Sequence, residues 1–146
     1  MNLTTATPAE IDTELAKIYT EIAAQETIIA QARRGLRRVD DDPHYSRDDL
    51  YPARLRTSIE LAELAIARRR EEAAPLESEY AKRGGWTRYY LVDASNGHVH
   101  YDVSNRRCSR RPSTRHLWLT TESGKTAEQV IEIAGEGTCT VCFPDA

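Results

Sequence analysis

The sequence predicts an α+β fold: a long N-terminal antiparallel helical hairpin, built as a coiled coil, followed by a small domain made of a β-hairpin and a helix. Three observations predict it. Two long stretches repeat apolar residues in alternating steps of three and four. Past Gly84 and Gly85 the chain becomes aromatic and β-branched around an Asn96-Gly97 pair. All three cysteines lie in that second part, the last two as Cys139-x-x-Cys142.

The first helix marks its own start. Thr7 is an N-cap residue, Pro8 suits the first helical position, and Glu10 completes a capping box. Ile11, Leu15, Ile18, Ile22, Gln25, Ile29, Ala32 and Leu36 then form a heptad seam with one polar member. A helix from Pro8 to Arg38 extends roughly 45 Å at about 1.5 Å per residue. Residues 39–50, with Pro43 and an aspartate cluster, break the pattern and predict a turn. A second seam runs through Leu55, Ile59, Ala62, Ile66, Arg69, Ala73, Leu76 and Tyr80. Pro75 falls inside it and predicts a kink or break, and Gly84-Gly85 ends the helix.

Two seams of equal length joined by a short turn fold back on one another. A lone hairpin buries only one seam per helix, so a homodimer that completes a bundle is the alternative arrangement. Residues 86–93 and 98–103 predict the β-hairpin, and residues 117–121 a further short strand. Thr126 and Gln129 form a second capping box, opening a helix to about Ala134 that Gly135 and Gly137 stop. The change of pattern divides the chain into residues 1–83 and 84–146.

With 146 residues the chain makes one domain or two small ones. Its 29% charged content, one Phe and one Met suit a solvated helical protein better than a thick core. No stretch approaches the roughly 18 apolar residues of a membrane span. Residues 1–8 lack the basic start and apolar run of a signal peptide, which predicts an intracellular protein. The net charge of −3 gives no general pull toward nucleic acid.

Three cysteines are an odd number for a disulfide framework, and their clustering in a reducing compartment favours a metal site. The Cys139-x-x-Cys142 spacing lets two thiolates converge on one ion, and Cys108 adds a third. A fourth ligand must be a histidine, from His98, His100 or His116. His98 and His100 share one face of a strand. His100, nearer in sequence to Cys108, is the preferred ligand and His98 the alternative. The predicted site is one structural Zn²⁺ on His100, Cys108, Cys139 and Cys142. A redox role for the cysteine pair is disfavoured, because the motif follows a helix rather than opening one. Such a shell is closed, and the sequence carries no His-Glu-x-x-His, nucleophile elbow or phosphate loop, so the expectation is a protein that is not an enzyme.

The segment from Gly84 onward carries Gly-Gly-Trp-Thr-Arg, Asn-Gly-His-Val-His, Cys108, Leu-Trp-Leu, Ser-Gly and a terminal Cys-Thr-Val-Cys-Phe-Pro. It resembles uncharacterised zinc-binding proteins of actinobacterial phages, over about the last 60 residues. The resemblance implies a phage protein acting in the cytoplasm of the host cell, and no particular activity. The family pattern has a cysteine three residues before the one matching Cys108. This chain has Asn105 there, which leaves a histidine to complete the ligand set.

Asp40, Asp41, Asp42, Asp48 and Asp49 cluster where the two helices join. The layout is similar to that of the Gre and DksA/TraR families of RNA polymerase regulators, in which an acidic coiled-coil tip enters the polymerase. That similarity implies a non-enzymatic protein that binds and modulates a host machine, with host RNA polymerase as the partner. Two other expectations compete. Arg106, Arg107, Arg110, Arg111 and Arg115, beside Tyr89, Tyr90, Tyr101 and Trp118, suit nucleic-acid binding. Gln25 and Arg69 within the seams suit a register-specified oligomer, such as a phage assembly or scaffolding component.

Overall fold

The structure, a computed structural model, describes residues 1–41, 50–93, 97–101 and 116–144. It is α+β. Helices α1 (Pro8–Asp40) and α2 (Leu50–Lys82) pack together and are followed by strands β1 (Tyr90–Val92), β2 (Val99–His100) and β3 (His116–Trp118), then by helix α3 (Ala127–Ala134). Short 3₁₀ turns occupy Thr120–Glu122 and Gly135–Gly137. Compactness divides the chain into two units, Lys17–Leu76 on one hand and Met1–Ala16 with Glu77–Ala146 on the other.

In Lys17–Leu76 the heptad seams supply the core. Ile22, Ile29, Ala62 and Ile66 are buried together, flanked by Ile18 and Ile59. The pairing is antiparallel: Arg69 meets Glu21 at 2.6 Å, Arg33 meets Glu63 at 3.1 Å, and Leu55 lies beside Gly35. These ion pairs are exposed and individually worth little, so the apolar seam carries the stability. Gly35 has a packing reason, since a Cβ there would come within 2.9 Å of Leu55 Cδ1. The kink or break expected at Pro75 does not end the helix, because α2 continues to Lys82. Burial of Ala73 and Leu76 on either side of the proline holds the helix through the missing backbone hydrogen bond.

The second unit begins with the predicted capping box. Glu10 N donates to Thr7 Oγ1 at 3.2 Å, and Thr7 N donates to Glu10 Oε2 at 2.8 Å. Donation to the carboxylate by Thr7 N and by the Thr7 hydroxyl holds the Glu10 carboxyl below its usual range. Ile11, Asp12 and Leu15 are fully buried. A charged side chain there needs partners, and Asp12 has three donors. Trp86 Nε1 donates at 2.8 Å, Arg88 Nη2 at 2.9 Å and Arg88 Nε at 3.2 Å. The Arg88 guanidinium lies between two aromatic faces, 3.8 Å from the Tyr80 ring centre and 4.7 Å from that of Trp118. Arg83 adds a second tie, donating through Nη1 to Ala6 O at 2.7 Å.

The sheet has the order β2-β1-β3, with both pairings antiparallel. The hairpin predicted around Asn96-Gly97 appears as β1 and β2, and the further strand as β3. Regular pairing of the first strand is shorter than predicted, although the β1–β3 register continues to Tyr89. Tyr89 O accepts from Leu119 N at 2.8 Å and Thr87 O from Gly124 N at 3.0 Å. Behind the sheet, Tyr89, Val99, Val130, Cys139, Cys142 and Phe143 form the buried cluster, with Leu91, Leu119 and Ile131 against it. The capping box of α3 is present as predicted, and Gly135 takes φ of +54° at its C-cap. Among the described residues no helix is long and apolar enough to cross a membrane.

Candidate metal centre

Strand alternation starts the site. His100 sits opposite Tyr90, and Val92 N donates to His98 O at 3.1 Å, so the two histidines face the same side of β2. Their ring centres are 4.6 Å apart. The cysteines arrive from the other end of the chain. After the 3₁₀ turn Gly135–Gly137, Thr138 forms a parallel bridge with Val99. Cys139 N then donates to Val99 O at 3.0 Å. The chain therefore runs along the open edge of β2 and brings Cys139 to His98 and His100. The ligand atoms of His98, His100 and Cys139 all lie within 4.8 Å of one another. The Cys139-x-x-Cys142 segment curls into a turn closed by Phe143 N donating to Cys139 O at 2.8 Å. That turn sets Cys142 Sγ 3.5 Å from His100 Nδ1.

The surroundings are dry. His100 is 1% exposed, and Cys139 and Cys142 are buried with it. Burial lowers the His100 pKa below 6.5, and the neighbouring His98 and His116 lower it further. The ring is thereby kept neutral, the form that binds metals. Its Nε2 is buried without a hydrogen-bond partner among the described residues. His98, His100 and Cys139 offer two imidazole nitrogens and one thiol sulfur, a set that could hold a metal ion of borderline or soft character.

Of the predicted ligands, His100 shares a donor group with Cys139, and Cys142 stands 3.5 Å from His100. Cys108 lies outside the described residues. His98, the alternative from sequence, is also at the site. His116 is on β3, its ring centre 6.1 Å from that of His100, and its Nε2 has no hydrogen-bond partner among the described residues. Period-two alternation made the His98 and His100 pair legible. Nothing in the sequence announced the bridge between Val99 and Thr138 that carries Cys139 to them.

The chain matches no protein-family model, no curated protein and no solved structure.

Proposed function

We propose that this chain is a non-enzymatic zinc-binding protein of phage origin that acts in the host cytoplasm. In this reading one structural Zn²⁺ holds the C-terminal part together, with His100, Cys139 and Cys142 among its ligands. The observation that carries the zinc reading is the convergence of imidazole and thiol donors at a buried sheet edge. Zn–S bonds of about 2.3 Å and Zn–N bonds of about 2.0 Å, set at tetrahedral angles, separate N and S by about 3.5 Å. The 3.5 Å between Cys142 Sγ and His100 Nδ1 matches that edge. Sulfur ligands on a redox-inert ion suit a structural role, and a closed shell leaves no position for substrate.

The helical hairpin is the part offered to a macromolecular partner, and host RNA polymerase is the first target to test. Asp40 ends α1 and Asp41 follows it. Asp42, Asp48 and Asp49 lie outside the described residues. An affinity capture from host lysate compares wild type with the triple variant Asp40→Asn, Asp41→Asn and Asp42→Asn. Polymerase subunits retained by the wild type and lost by the variant support the reading. Equal retention by both removes the acidic segment from it, and no retention by either rejects polymerase as the target.

A second reading, an oligomeric assembly component, is favoured by Leu61 and Leu64. They are exposed at 62% and 68% on α2 of the helical unit. Light scattering decides it, since that reading requires a defined oligomer and fails on a monomer. The Arg106 to Arg115 segment, on which the nucleic-acid reading rests, lies outside the described residues.

A further inference from the structure

We infer that the metal shell is closed by two imidazoles and two thiolates, His98, His100, Cys139 and Cys142, so that Cys108 is not required as a ligand. The inference rests on the zinc reading above and specifies its coordination.

Four lines of geometry and charge converge on this set. The first is the strand. Residues two apart on β2 project from one face, and the register to β1 fixes His98 and His100 on the same face as Tyr90 and Val92. One imidazole cannot be at the site without the other being next to it, as the 4.6 Å between ring centres shows.

The second is the edge pairing. The Val99 and Thr138 bridge and the Cys139 N to Val99 O bond fix Cys139 beside both histidines. Tetrahedral zinc places its N and S donors about 3.3 to 3.8 Å apart. The donors of His98, His100 and Cys139 lie within 4.8 Å of one another, so shifts of order 1 Å at these side-chain ends bring the three to tetrahedral spacing. The third is Cys142, whose Sγ already stands at a tetrahedral edge from His100 Nδ1.

The fourth is charge. Two thiolates and two neutral imidazoles make a Zn²⁺ centre that is formally neutral. Three thiolates and one imidazole leave one net negative charge. The centre borders an apolar cluster containing Tyr89, Val99, Val130 and Phe143, where an uncompensated charge is costly. Of the histidines in this domain, His116 is less suited. The ring centre of His116 lies 6.1 Å from that of His100, against 4.6 Å for His98, and His116 is not among the donors that lie within 4.8 Å of one another.

The test is zinc K-edge X-ray absorption on the full-length, zinc-loaded protein, together with zinc content by mass spectrometry. The expected first shell is two sulfurs and two nitrogens. Three sulfurs and one nitrogen overturn this assignment while leaving zinc binding intact. A wild-type protein that binds no stoichiometric zinc overturns both. Two variants check the residues. Cys108→Ser is expected to keep one zinc per chain with an unchanged absorption spectrum. His98→Gln is expected to weaken zinc by about 100-fold or more, at least the loss that substitution of outer-shell partners causes. Loss of zinc from Cys108→Ser, or full retention by a folded His98→Gln, refutes the assignment. Should His98→Gln not fold, the wild-type absorption spectrum decides alone.

Discussion

The Asp12 carboxylate is the most consequential single group outside the metal site, and replacing it with alanine tests why. Asp12 is 0% exposed and accepts from both Arg88 and Trp86, while the Arg88 side chain is 17% exposed. Removing the carboxylate leaves a guanidinium nearly shut off from water and an indole N–H without its acceptor. Stripping one partner from a buried ion pair costs about 3–5 kcal/mol. The orphaned indole N–H belongs within that cost rather than on top of it, because one carboxylate serves both donors. The Glu77 carboxylate, 3.7 Å from Arg88 Nη1, and contact of Arg88 with the Tyr80 and Trp118 rings offset part of it. The expected loss for Asp12→Ala is therefore about 3 kcal/mol. For a domain of this size that is a large share of a total of about 5–10 kcal/mol.

The assay is urea denaturation followed by tryptophan fluorescence. Trp86 and Trp118 are the chain's two tryptophans and both touch this network, so the signal reports on it directly. A control separates the value of the pair from the penalty of the orphaned charge. Asp12→Leu combined with Arg88→Met removes both charges and is expected to recover more than half of the loss. An Asp12→Ala protein within about 1 kcal/mol of wild type refutes the account. So does a double variant as unstable as the single one.

Three further outcomes follow from other contacts. Gly124 has φ of +81°, and a Cβ there would meet Pro8 Cγ at 2.7 Å, so Gly124→Ala is expected to cost about 1–3 kcal/mol in the same denaturation assay. Burial raises the pKa of Tyr89 and of Tyr90 above the usual 10.0. Unfolded tyrosines lose their protons first, so the folded state holds more protons above pH 10 and stability falls as pH rises. Ultraviolet titration should show these two of the seven tyrosines ionising late. Removing zinc with a chelator is expected to abolish the near-ultraviolet signal of the sheet unit while most far-ultraviolet helical signal persists, because Ile22, Ile29, Ala62 and Ile66 pack without it. An unchanged near-ultraviolet spectrum would remove the structural role assigned to the metal.

What could be read from the sequence was local or periodic. Both capping boxes, at Thr7 and Thr126, formed as their spacing required, since each satisfies its own helix end within four residues. Both seams bury the residues that the heptad step selects, with Ile22 and Ile29 facing Ala62 and Ile66. Asp12 was illegible by the same logic. It follows Ile11 on a helix whose acids otherwise face water, and its partners Trp86 and Arg88 are more than 70 residues away. Pro75 failed as a breaker because its local cost competes with tertiary burial that no propensity contains.

The metal centre divides along the same line. That His98 and His100 share a face is a property of any strand, and that two cysteines three apart converge is a property of any tight turn. Which edge the turn meets depends on the Val99 and Thr138 bridge, a pairing across almost 40 residues. The sheet then links the two polar features of this unit. Tyr90 lies opposite His100 on one side and opposite Trp118 on the other, so all three share a face. Tyr90 and Trp118 have ring centres 6.2 Å apart, and Trp118 in turn covers Arg88. One row of neighbouring side chains thus runs from His100 to the Asp12 network. If that row transmits strain, zinc loading should shift Trp118 fluorescence in the wild type and shift it less in Tyr90→Ala. If the metal only orders the cysteine turn, Tyr90→Ala should leave the zinc-dependent fluorescence change intact.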